Sequence, residues 1–160
     1  MKHIIALVLM TLVSLSSFAG TNGNFPKGPD ASLTPGAVCT HPTEHRYPEN
    51  IDYCERDVAS DTKRAIFVKY DQLGFRTRTM NRMDFKIDHY IPLCMGGAND
   101  VENLWPQHKS IYAITDPLEP LLCEKMADGR LLQKDAINYI KAAKANLDQV
   151  PAIIRQVQGL

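Results

Sequence analysis

The sequence predicts an α+β fold in which a short two-stranded hairpin sits among helices, and three observations predict it. Phe85, Ile87 and His89 alternate with Lys86 and Asp88, the period-two pattern of a strand. Gly96-Gly97 permits a tight reversal, and Leu104-Trp105 follows as a second short strand that Pro106 should stop. Apolar residues then recur at helical spacing: Leu118, Leu121, Leu122 and Met126 in one segment, Ile137, Ile140, Ala143 and Leu147 in another.

The remaining elements follow from caps and breakers. Ser60 caps a helix running to about Tyr70, with Ile66, Phe67 and Tyr70 for burial and Gly74 as its stop. Arg76 to Asp84 is polar and basic and reads as a loop. Asp116 caps the next helix, with Pro117 at its first position, Glu119 completing a capping-box-like pair and Gly129 ending it. The last helix runs from about Lys134 to Asp148, with Lys141 and Lys144 left to solvent and Pro151 as its end. Trp105 reads as core.

Residues 1–19 read as a signal peptide. Lys2 gives the positive start, Ile4 to Val13 is an apolar run too short to span a bilayer, and Ser17-Phe18-Ala19 is a small-x-small cleavage site. Residues 20–36, rich in Gly, Pro, Asn and Ser, read as a flexible leader, and 37–160 as one domain. The mature chain is then exported, periplasmic or secreted, with no stable membrane association. Cys39, Cys54, Cys94 and Cys123 form an even set, and export makes disulfides their default state. Of three pairings, Cys39 with Cys54 and Cys94 with Cys123 is favoured, because the first closes a local loop without periodicity. His41 and His45 lie within that loop, but their spacing from the cysteines fits no specific zinc pattern.

Eighteen basic and eighteen acidic residues leave no net charge, so charge alone does not mark a polyanion binder. Its distribution says more. Residues 63–86 hold Lys63, Arg64, Lys69, Arg76, Arg78, Arg82 and Lys86 against two acids, while 20–62 hold three basic residues against seven acidic ones. Arg76, Arg78, Arg82, Lys86 and Lys109 are the candidate contacts to a phosphate backbone.

The chemistry concentrates in Lys86 to His108, KIDHYIPLCMGGANDVENLWPQH. Phosphodiester hydrolysis needs a base to activate water and positive charge at the phosphorus. His89 suits the base and Asp88 is a hard oxygen ligand for a divalent cation. Neighbours on a strand point to opposite faces, so both serve one site only if the strand bends or ends there. Asn103 could hold the loop or fix the imidazole, and His108 could be a second metal ligand.

This segment resembles the HNH nuclease family. Asp88-His89, Ile91-Pro92-Leu93, Gly96-Gly97, Asn99 and Asn103-Leu104 match its motif in order and spacing, and the likeness extends over roughly residues 56 to 147. The resemblance implies a ββα-metal core, His89 as general base, Asp88 as metal ligand and Asn103 as the positioning residue. It implies one divalent cation, Mg²⁺ first with Mn²⁺ or Zn²⁺ as options, and DNA or RNA as substrate; the basic block, binding backbone without reading bases, would make cleavage largely sequence-tolerant. An immunity protein is a conceivable partner without support in the sequence. The chain departs from the family at the helical ligand. That residue often falls roughly nine positions after the motif Asn, which here gives Tyr112 and Ala113 and leaves His108, or more weakly Gln107 and Asp116. Two rival classes stand beside the nuclease: a non-catalytic exported module binding nucleic acid or a partner on the same scaffold, and a phosphoesterase acting on small esters.

Overall fold

The computed structural model describes residues 23–160; the predicted signal peptide lies outside them. The fold is α+β. Its first hairpin pairs β1 (Glu44–Arg46) with β2 (Ile51–Tyr53). Then come α1 (Ser60–Gln72), two 3₁₀ turns, and a second antiparallel hairpin of β3 (Phe85–His89) and β4 (Leu104–His108). Helices α2 (Lys109–Thr115), α3 (Leu118–Ala127), α4 (Gln133–Ala145) and α5 (Val150–Gln158) follow.

Strand β3 spans the residues its alternation predicts. Strand β4 runs on through Pro106, which pairs opposite Ile87. A two-stranded sheet leaves the outer edge of β4 unpaired, so the missing N–H breaks no ladder bond. Ser60 is the first residue of α1 rather than its cap, and Ala59 in the cap position makes no side-chain bond. Asp116 likewise does not cap α3: it ends α2, and its carboxylate binds Lys86 instead. Helix α4 stops at Ala145, short of Asp148, and Pro151, rather than ending it, lies in the first turn of α5, which needs no N–H from it.

Two apolar cores result. Ile66, Phe67 and Tyr70 of α1 pack on Phe85, Ile87, Leu104 and Trp105 of the second hairpin and on Ile111. Leu118, Leu122 and Met126 of α3, Ile140 and Ala143 of α4 and Ile153 and Val157 of α5 form the other, which also takes in Ile91 and Met95. Trp105 is fully buried, as its core reading required.

Both disulfides pair as favoured, Cys39 with Cys54 and Cys94 with Cys123. They fit an oxidising, exported setting, and no helix among the described residues is long and apolar enough to cross a membrane. With both thiols of the first pair oxidised, no thiolate is left there for zinc, and His45 faces Asp52 instead. The supposed leader is tied down over its described part. Thr34 is buried, shares a hydrogen bond with the Tyr70 hydroxyl and donates to the Leu104 carbonyl, and Gly36 N–H donates to Glu102. Its polar composition hid these hydrogen bonds, which need no apolar side chain in the segment itself.

Candidate active site

The segment between β3 and β4 folds back on the end of β3, and Asn103 holds it there. The fully buried Asn103 amide accepts from Ile91 N–H at 2.9 Å and donates to the carbonyls of Ile91 and Ala98, each at 2.9 Å. Gly97 lets the loop close this tightly, since a Cβ there would stand 1.8 Å from the Ile91 carbonyl oxygen. Asn103 thus positions the loop and does not touch the His89 ring. Asn103→Ala would strip three bonds from buried backbone groups at roughly 1 kcal/mol each. A stability loss of about 2–4 kcal/mol in urea unfolding is the expected result.

His89 closes β3 and is 4% exposed. Its Nδ1 lies 3.2 Å from the Arg56 guanidinium, and its Nε2 lies 3.1 Å from Asn99 Oδ1. A guanidinium can only donate, so Nδ1 must be the acceptor and Nε2 carries the proton. Asn99 is itself oriented, because its Nδ2 donates to the Glu55 carbonyl at 2.7 Å. The neutral tautomer with its lone pair on Nδ1 is therefore fixed from both sides. Arg56 is anchored by a 3.0 Å bond to the Ile87 carbonyl, yet the residue as a whole is exposed. The buried imidazole thus has a solvent-facing guanidinium at its unprotonated nitrogen.

Burial holds the His89 imidazole down at about 4, from 6.5, with Arg56 and Lys144 adding to the depression against the Asn99 bond and the Asp88 charge. The ring is neutral at physiological pH. The sign for stability follows: below 6.5 the unfolded chain takes up a proton that the folded chain refuses. Stability from this group is full above about pH 6.5 and falls as pH drops toward 4, by roughly 3 kcal/mol at most. Unfolding of wild type and His89→Gln at pH values between about 7 and 4.5 checks this. The wild type should lose more stability than the variant.

Asp88 leaves β3 on the other face and meets different partners. Its Oδ2 is 2.8 Å from the ammonium of Lys144, and its Oδ1 is 3.2 Å from that of Lys86. Lys144 is fully buried, contrary to the expectation that it faces solvent. Its Nζ also donates to the His89 carbonyl at 2.7 Å and lies 2.7 Å from Glu119 Oε1, though that last approach lacks hydrogen-bond geometry. Lys86 binds both Asp116 oxygens at 2.8 Å. Burial pushes the Asp88 carboxyl up, but Lys144 and Lys86 outweigh it and hold Asp88 below the usual carboxylate range. Burial likewise works against the Lys144 charge, and Asp88 and Glu119 overcome it, so the ammonium persists.

His108 is not brought to this place. It pairs with Phe85, at the opposite end of β3 from His89 and on the opposite face from Asp88, about 10 Å along the strand from the Asp88–Trp105 pair. Its Nδ1 caps α2 by accepting from Ser110 N–H, and its ring stacks on Phe25 at 4.0 Å. The cation implied by resemblance therefore does not fit the residues proposed for it. Asp88 and His108 do not converge, the Asp88 oxygens are taken by ammonium groups, and among the described residues no three His, Cys, Asp or Glu side chains gather in a metal-holding group.

The basic candidates divide. Lys86 lies at Asp88. Arg78 binds Asp71, Arg82 donates to the Phe85 carbonyl and covers the Phe67 ring, and Lys109 binds Asp84; these three, with exposed Arg76, lie toward the Phe85 end. Sequence reasoning missed Arg56 and Lys144, matched Asn99 without giving it a role, and saw Glu119 only as a capping residue. Arg56 carries no local signal. Lys144 does: it stands four residues after Ile140, on the buried stripe of α4. Comparison with family models, curated proteins and solved structures gives no match to this chain.

Proposed function

We propose that the protein is an exported phosphodiester hydrolase acting on nucleic acid, with His89 as general base. The observation that carries this reading is the orientation of His89: a neutral, buried imidazole whose lone pair on Nδ1 faces an exposed guanidinium. The hairpin of β3 and β4 followed directly by α2, with Asn103 bracing the loop, supports the ββα reading drawn from the HNH resemblance.

In this mechanism the guanidinium of Arg56 turns from Nδ1 to the non-bridging oxygens of a phosphodiester, where its planar fork suits them. Nδ1 is thereby freed to take a proton from water. The water oxygen bonds to phosphorus as the bond to the 3′-oxygen breaks, and solvent protonates the leaving oxygen. Arg56 stabilises the charge that develops on phosphorus. Asn99 keeps the Nε2 proton in place and steadies the imidazolium once it forms.

Arg64, Arg78 and Arg82 line a groove with Phe67, Val68 and Met80. The groove lies toward the Phe85 end of β3, so in this reading it would take backbone away from the cleaved bond, and only after Arg78 exchanged Asp71 for a phosphate, without reading bases. Arg56→Ala should lower plasmid nicking by about 10²-fold or more, and Arg56→Lys should recover only part, because a lysine cannot make the forked contact. Equal nicking by all three proteins would remove Arg56 from the mechanism. One observation favours the non-catalytic binding module: both ring nitrogens of His89 already have partners. That reading predicts unchanged function in His89→Ala.

A further inference from the structure

The Asp88–Lys144–Glu119 cluster is unusual in where it lies. Asp88 projects from strand β3, while Glu119 and Lys144 stand on helices α3 and α4. Two carboxylates from different elements thus face one cationic point, and the Lys144 ammonium occupies it with three oxygen neighbours at 2.7–2.8 Å. Oxygens from a strand, a backbone carbonyl and a helix converging on one cation are what a hard divalent ion would ask for. Lys86, between Asp88 and Asp116, fills the adjoining gap.

We propose that Lys144 is a built-in cation: its ammonium takes the place of a divalent metal between Asp88 and Glu119, closing that place to metal, so that the hydrolase works without one. Exclusion of metal rests on the geometry alone, whereas catalysis without metal rests on the hydrolase reading above. Lys144 is a positioning residue here. It is fully buried and cannot reach a phosphate, but its bond to the His89 carbonyl fixes the end of β3, and Arg56 supplies the charge at the phosphorus. A tethered ammonium has two advantages over a bound ion: it is present as soon as the chain folds, and it needs no metal from the surroundings. Binding of a divalent ion would require either expelling a buried ammonium or placing two cations against the same carboxylates, and both are costly.

The test uses Mn²⁺ as the probe and the full mature chain. Melting is followed with about 1 mM Mn²⁺ and with EDTA, for wild type, Lys144→Ala and Asp88→Asn. Nicking of supercoiled plasmid is followed in the same buffers for wild type. The wild type should melt at the same temperature with and without Mn²⁺ and should nick at rates within about twofold in EDTA and Mn²⁺. Lys144→Ala, with its carboxylates uncovered, should melt lower in EDTA and regain several degrees in Mn²⁺. A merely structural lysine would show the first change without the second. Mn²⁺ stabilisation of the wild type that Asp88→Asn abolishes would overturn the proposal, as would nicking that EDTA stops. If Lys144→Ala does not fold, the wild-type and Asp88→Asn titrations still decide. If no buffer supports nicking, the hydrolase reading fails and takes metal-free catalysis with it, while the Mn²⁺ melts still decide whether Lys144 excludes metal.

Discussion

Lys144→Ala should lower stability by about 3–5 kcal/mol. The reason is asymmetry. A buried ion pair contributes little beyond its desolvation cost, but removing one partner strands the other charge in the interior. Here Asp88, 8% exposed, would keep only its longer contact to Lys86, and Glu119, whose carboxyl burial already pushes up, would lose its cation. The His89 carbonyl loses its donor as well. For a chain of this size the loss corresponds to a fall in melting temperature of roughly 10–15 °C. Urea or thermal unfolding of the two proteins measures it. Lys144→Met tests the cause, because it keeps most of the volume and removes only the charge. If Lys144→Met is as stable as wild type, the ammonium charge is not the source of the loss.

His89→Ala is expected to reduce nucleic-acid cleavage by about 10²–10⁴-fold, the range a positioned general base supplies. At neutral pH the effect on stability should be smaller than that of Lys144→Ala, since the variant loses two hydrogen bonds of a neutral ring and leaves no buried charge without its partner. A loss of cleavage without a loss of fold separates the chemical role from the structural one. Asn99→Ala should fall between wild type and His89→Ala, because the ring could then adopt the other tautomer and turn its proton toward Arg56.

The parts of the fold legible in the sequence were those where side-chain periodicity and backbone demands agree. Strand β3 alternates over its whole length, and its span was readable to the residue. The α3 and α4 stripes gave Leu118, Leu122, Met126, Ile140 and Ala143 as core. Elements built without such a pattern stayed hidden. The β1–β2 hairpin turns on Tyr47 and Asn50 at φ 65° and 59°, positions where glycine would have been the usual signal. Helix α2 is seven residues long and too short to show a period. Helix α5 was masked by Pro151, which stops one helix and starts the next with equal ease.

The candidate site was legible in the same uneven way. Asp88, His89 and Asn103 are close in sequence and stay close in space, so a linear motif could hold them. Arg56 comes from the segment after the first disulfide, and Lys144 from a helix 55 residues beyond the His89 carbonyl it binds. Neither could be found from spacing to the motif. Residue type points Lys144 to solvent, whereas its place on the α4 stripe points it inward. Of the candidate phosphate contacts, Lys86 belongs to Asp88 and Asp116, and Arg78 and Lys109 are engaged by Asp71 and Asp84. His108 was drawn in as a ligand by its type and its nearness in sequence. The hairpin register puts it at the far end, where its ring caps a helix.

The most direct measurement is nicking of supercoiled plasmid by the purified mature chain, wild type beside His89→Ala, in EDTA and in Mg²⁺. The account predicts nicking by the wild type in both buffers and its loss in the variant. Nicking that His89→Ala retains, or none by the wild type in either buffer, would contradict it.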